Sequence, residues 1–203
     1  MEFWNSQLTE KSWKLLQELR KKYSFILIEG WATYLWTRQQ KSKDIDIVVE
    51  IKELQKLKAE NLSKNYNLKK YEVKSDEIDV DIYVSYFSKL TIAPENLKKY
   101  IKKIEGFDVV SQEALIILKQ GAYKDRKNSI KGEKDKIDIL SLLFFSDFNI
   151  KIYKSILKEY SLDYYAKNLI DLLKNFKDYD SLNLTPREFK IKKKMVLDEF
   201  KKP

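Results

Sequence analysis

The 203-residue sequence contains neither cysteine nor histidine. Their absence removes disulfide frameworks, Cys/His zinc sites, thiol nucleophiles and any Ser-His-Asp triad. Any metal must then be held by oxygen, which selects the hard cations Mg²⁺, Mn²⁺ or Ca²⁺. Glycine is scarce as well. Its four positions, Gly30, Gly106, Gly121 and Gly132, fit neither G-x-x-x-x-G-K-[ST] nor G-x-G-x-x-G, so Walker-type NTPases and Rossmann dehydrogenases are not expected. No apolar run reaches the ~18 residues of a membrane span, and the opening residues mix charge with aromatic side chains instead of forming a leader. These absences predict a soluble, cytoplasmic protein with no membrane partner.

Charge is abundant. Lys and Arg number 40 against 31 Asp and Glu, a formal net charge of +9. Such an excess suits a polyanionic partner, because cationic side chains gain free energy by displacing counterions from phosphates. Lysine is nonetheless spread along most of the chain, which reads equally well as solvated helix faces. The 43% hydrophobic content is enough for one sizeable domain or two small ones.

Periodicity divides the chain. Leu8, Leu15, Leu16 and Leu19 share a helical face, so a first helix should run to about Lys22. Ser24 to Ile28 reads as a short strand broken at Gly30, and Trp31 to Thr37 as a helix starting at that glycine. Asp44 to Glu50 reads as a strand, Ile51 to Lys64 as a helix, and Asn67 to Val73 with Glu77 to Ser85 as an antiparallel hairpin. After Pro94 every apolar pattern has a period near 3.6, which predicts helices at 95–104, 112–123, 133–145, 150–159, 163–176 and 186–200. The expected fold class is α+β, with a small mixed β-sheet core over residues 1–93 and an all-α helical bundle over 94–203.

Chemistry concentrates on two strands. In Lys43-Asp44-Ile45-Asp46-Ile47, a period of two puts Asp44 and Asp46 on one face, about 7 Å apart at the backbone. Neighbouring carboxylates repel each other unless a cation compensates, so the pair points to a metal site. Glu77-Ile78-Asp79-Val80-Asp81-Ile82 repeats the pattern, with Asp79 and Asp81 on one face and the aliphatic residues on the other. If the strands are neighbours, Asp44, Asp46 and Asp81 converge on divalent metal, with Asp79 in reserve. The bland alternative is a solvated sheet face paired with lysines. Upstream, Glu29-Gly30-Trp31 joins a strand to a helix, where backbone N–H groups can approach a phosphate. Trp31, Tyr34, Leu35 and Trp36 either stack a base or pack their helix on the sheet. Asp135 and Asp138, one turn apart, either order a catalytic half or pair with neighbouring lysines. The final basic segment, 186–203, carries a partial apolar stripe of Ile191 and Met195 and either contacts RNA or presents a basic solvent face.

An apolar strand, then glycine, then thirteen residues (31–43), then Asp-x-Asp resembles the DNA polymerase β-like nucleotidyltransferase superfamily. Leu118-Lys119 through Arg126, with Lys131 through Leu140, is similar to the helical part of the abortive-infection, AbiEii-like group, which includes toxin halves of toxin–antitoxin pairs and archaeal relatives. The resemblance covers roughly residues 24–143. It implies that Gly30 is the phosphate-loop glycine, that Asp44 and Asp46 are metal ligands, and that Asp81 is the third carboxylate and general base. It further implies that Trp31, Lys43, Lys119 and Lys134 approach the nucleotide. The implied activity is transfer of an NMP from an NTP, with Mg²⁺ or Mn²⁺, to a hydroxyl of RNA such as tRNA or of a protein side chain, with an antitoxin protein as a further partner. Glu29 departs from the family pattern, since it stands where the first glycine of a pair is expected and places negative charge beside the triphosphate. Two other readings remain open. Clustered aspartates serve a two-metal nuclease equally well, and Glu29 favours a catalytically silent member that binds RNA or protein.

Overall fold

The computed structural model describes residues 6–57, 61–75 and 77–202. By internal contacts the chain divides into two compact units, Met1–Ser111 and Gln112–Pro203. The fold class is α+β, with all strands in one mixed, seven-stranded sheet of the first unit.

In that unit α1 (Ser6–Lys22) turns Thr9, Ser12 and Leu16 inward. It precedes β1 (Ile26–Leu27), α2 (Glu29–Thr37), β2 (Ile45–Val49) and α3 (Ile51–Leu57). Then come β3 (Ser63–Asn65), β4 (Lys70–Ser75) and β5 (Ile78–Val84), followed by a 3₁₀ turn (Pro94–Tyr100), β6 (Ile101–Ile104) and β7 (Phe107–Val110). The sheet order is β3-β4-β5-β2-β1-β7-β6. The β5/β2 and β1/β7 pairs are parallel and the rest antiparallel. On β5 the aliphatic residues Ile78, Val80, Ile82 and Val84 are buried, while Asp79 is exposed and Asp81 and Tyr83 are half-buried. One sheet face is therefore packed and the other presents polar groups, as strict alternation dictates.

Two segments depart from expectation. Of the helix read from Ile51 to Lys64, α3 accounts for Ile51–Leu57, residues 58–60 lie outside the described residues, and Ser63–Asn65 instead pairs with β4. The helix read over 95–104 is a 3₁₀ turn followed by β6, which pairs with β7. Ile101 and Ile104, three apart, share a face in a helix but take opposite faces in a strand, so their spacing alone favours the helix. The turn decides, because Glu105 and Gly106 both have positive φ, the geometry of a two-residue hairpin. That hairpin belongs to the first unit, so the contact division falls at Ser111/Gln112, not at 93/94.

The second unit is all helical: α4 (Gln112–Arg126), α5 (Ile130–Phe145), α6 (Ile150–Glu159), α7 (Tyr164–Asn175) and α8 (Pro186–Lys201). Caps set their starts. Ser129 accepts from the Gly132 N–H, Asn149 from Lys151 and Ile152, and Thr185 forms a reciprocal capping box with Glu188. The α4–α5 connection needs its glycine, because a Cβ on Gly132 would stand 2.2 Å from the Arg126 carbonyl oxygen. On α8 the expected stripe is reversed: Ile191 and Met195 are exposed, while Phe189 and Phe200 are buried. Two of its lysines cap carbonyls, Lys192 that of Phe144 and Lys193 those of Lys174 and Phe176. Among the described residues no helix is long and apolar enough to cross a membrane.

Candidate active site: a carboxylate face on the mixed sheet

The polar side of the sheet assembles from strand register. Asp46 and Asp81 are side-by-side partners on the parallel strands β2 and β5. Partners in register point to the same face, with strands about 4.8 Å apart, so the two carboxylates are neighbours. Asp44 lies just before β2 and is half-buried, and its charge raises the pKa of Asp81. The Tyr83 hydroxyl lies 3.4 Å from Asp46 Oδ1 and donates to it. The start of α2 adjoins the same place, since the Ile28 N–H donates to the Asp46 carbonyl at 3.1 Å. The first-turn N–H groups of Gly30 and Trp31 have no carbonyl one turn earlier to bond, which makes this end of α2 attractive to an anion.

One group at this face was not anticipated from the sequence. Lys70 on β4 reaches across to Asp81, with Nζ 2.5 Å from Oδ2, and to Glu72 at 3.1 Å. Glu72 is the register partner of Asp81 and also accepts from the Asn65 amide. The signal lay in Lys70-Tyr71-Glu72-Val73, which alternates polar and apolar residues as β5 does. What the sequence withheld was that β4 lies against β5 with Glu72 opposite Asp81.

Electrostatics at the cluster pull in two directions. Burial tends to lower the Lys70 pKa, but hydrogen bonds and charges of Asp81 and Glu72 outweigh it, and the net shift is upward. Burial tends to raise Glu72, which Lys70 and Asn65 nevertheless hold below its ordinary value. Asp81 moves the opposite way to Glu72 although it shares the same ammonium. Its pKa is raised, by burial first and by the charges of Glu72 and Asp44 next, against the lowering effect of Lys70. Burial, more than neighbouring negative charge, therefore sets the rise, since Lys70 lowers Asp81 more than Glu72 and Asp44 raise it.

A divalent ion would suit the all-oxygen donor set. Yet among the described residues no group of three or more carboxylates is arranged to hold a metal ion. Asp81 is paired with Lys70, which leaves Asp44 and Asp46 as the carboxylates that could hold an ion. Asp79 is exposed and stands opposite Lys74.

The remaining expectations fare differently. Glu29, not Gly30, carries the left-handed backbone, with φ 56°, and its side chain is buried. A glycine would be relaxed there, so the departure from the family pattern falls on the position with the strained backbone. The Trp31 ring is fully buried, donates to the Ser12 hydroxyl at 2.9 Å and packs on Trp13 and Tyr34. Trp36 donates to the Val110 carbonyl. Trp31 is 0% exposed as a whole residue, so neither its ring nor its backbone is open to solvent. Lys43 is half-buried in the bend before Asp44, and Lys134 is half-buried on α5.

Lys119 is not placed to touch a ligand. It is 2% exposed, and its Nζ meets Asp138 at 2.8 Å and Asp135 at 3.4 Å. Arg126 completes the cluster through Nε at 2.7 Å and Nη2 at 3.0 Å from Asp135. The two aspartates therefore pair with α4 and not with lysines one turn away on α5. Two buried acids and two bases tie the helices together.

The chain is similar in fold to JHP933 from Helicobacter pylori. The crystal structure of that protein matches with a TM-score of 0.53 at 16% identity, over 97% of this chain and 94% of the other. A fainter likeness, with a TM-score of 0.41 at 16% identity, is to an antigenic nucleotidyltransferase-like protein from Paracoccidioides brasiliensis, over 87% of this chain and 97% of that one. No protein-family model and no curated protein sequence matches the chain.

Proposed function

We propose that this chain is a metal-dependent nucleotidyltransferase that moves an NMP from an NTP to an acceptor hydroxyl, with RNA as the favoured acceptor and a protein side chain as the other. The observation that carries this reading is the in-register pairing of Asp46 with Asp81, beside Asp44 and the first turn of α2. Asp44 and Asp46 would hold Mg²⁺ or Mn²⁺, which when bound neutralises phosphate charge and lowers the pKa of an attacking hydroxyl. The start of α2 at Gly30 would orient the triphosphate. Asp81, raised above its ordinary value chiefly by burial, is a better proton acceptor for the hydroxyl than a solvated aspartate. Resemblance to the AbiEii-like group adds a toxin role checked by an antitoxin protein.

A specific observation favours a second reading, a catalytically silent binding member of the fold: Lys70 already sits between Glu72 and Asp81 as a built-in cation. Incubation with each α-labelled NTP, Mg²⁺ or Mn²⁺ and total RNA separates the two. Label carried to RNA or to the protein, and lost in Asp44→Ala/Asp46→Ala, supports the transferase. No transfer and no calorimetric binding of metal–NTP leaves the silent reading. RNA cleavage without NTP points to a nuclease.

A further inference from the structure

At the β3–β4 turn and just past the end of β5, aromatic side chains stand in solvent with lysines among them. Tyr66 is 65% exposed, Leu68 61% and Tyr86 87%. The Lys64 ammonium lies 4.3 Å from the Phe87 ring centre and 4.7 Å from that of Tyr66, and Lys69 lies 5.7 Å from Phe87. Tyr66 and Phe87 meet edge to face at 6.4 Å. Tyr86 is also held at φ 63°, a left-handed conformation that a bulky side chain rarely takes. The strain turns a large ring outward, where it gains nothing from burial. Contiguous exposed apolar surface of this kind marks an interaction site, and outlying backbone is concentrated at functional positions.

We infer that this patch docks single-stranded RNA, with bases stacked on Tyr66 and Tyr86 and phosphates on Lys64 and Lys69. Rings flanked by cations match both chemical faces of a nucleotide strand, the flat base and the anionic backbone. An acidic protein segment would use the lysines but has no need of two exposed flat rings. A base-paired duplex has no free base faces to offer. Glu95 accepts from the backbone N–H of Tyr86. Lys64 and Tyr71 are register partners, and Tyr71 in turn faces Ile82 and packs on Phe87, so the patch lies at the β3–β4 edge of the sheet, on the face opposite Asp81. That RNA bound here serves as the acceptor rests on the transferase reading, whereas the docking itself does not.

Fluorescence anisotropy of a labelled oligouridine with the full chain, in EDTA and without NTP, tests docking separately from transfer. Tyr66→Ala/Tyr86→Ala should weaken binding about tenfold or more while leaving the melting temperature unchanged, since both rings are exposed. Lys64→Gln/Lys69→Gln should flatten the log–log salt slope by about 1.4, two single-strand phosphates. Asp44→Asn/Asp46→Asn should bind as well as the parent, so loss of label transfer with docking intact would be assigned to the carboxylates and not to docking. Absence of binding by the parent, undiminished binding by both patch variants, or tighter binding of a duplex overturns the inference. So does a polyglutamate peptide that binds more tightly than RNA and depends on the same four residues, which would assign the patch to an acidic protein.

Discussion

Replacing Lys119 by methionine separates a structural lysine from a ligand-binding one. The substitution preserves length and most of the volume, so the main loss is charge. Asp135 keeps the two-pronged contact from Arg126, whereas Asp138, 1% exposed, loses its ammonium partner at 2.8 Å. Breaking a buried ion pair from one side costs about 3–5 kcal/mol, because the remaining charge stays buried without its counter-ion. For a chain of this length that corresponds to a fall in melting temperature of about 6–20 °C. The double variant Lys119→Met/Asp138→Leu removes both charges and should recover most of the loss, since a well-packed apolar pair is often neutral in place of a buried ion pair. Urea unfolding followed by far-UV circular dichroism measures all three proteins. A single variant within about 1 kcal/mol of the parent, or a double variant no better than the single one, would refute the reasoning. Parent-like stability together with lost NTP binding would return Lys119 to the role of phosphate ligand.

Glu29→Gly should raise stability by about 1 kcal/mol by relieving the left-handed strain, and should tighten Mg²⁺–NTP binding by removing a negative charge beside the start of α2. A loss of stability would show that the buried Glu29 side chain matters more than its backbone. Lys70→Met should lower the melting temperature in EDTA, and Mg²⁺ should restore it, because an ion can then take the ammonium's place between Asp81 and its neighbours. If Mg²⁺ has no effect on the variant, the face is not a metal site. Tyr153 is buried and donates to Gln120 Oε1 at 2.6 Å, and burial first of all pushes its phenol far above the usual value. A raised folded pKa gives stability that is present below about pH 10 and is lost as pH rises beyond it, when the unfolded phenol ionises and the folded one does not. Tyr153→Phe should therefore cost about 1 kcal/mol at neutral pH and lose stability less steeply above pH ~10, so that the two curves converge. Parallel curves would contradict this.

The sequence alone determined what rests on local period and residue type. Helices α1, α2 and α4 to α8 follow from apolar spacing and caps, the polar side of β2 and β5 from alternation, and the exclusion of Cys/His metal sites from the absence of both residues. It misdirected at 101–104, because two isoleucines three apart share a helical face, whereas the strand there depends on hydrogen-bond partners that β7 supplies. It could not identify the partners of charged side chains. Lys70 and Glu72 enter the carboxylate face, and Lys119 leaves solvent for Asp138, through pairings of residues 9 to 19 positions apart that no local pattern encodes. Whether a lysine meets a phosphate, an aspartate or water is decided by which strand or helix lies opposite it, and only the tertiary structure sets that.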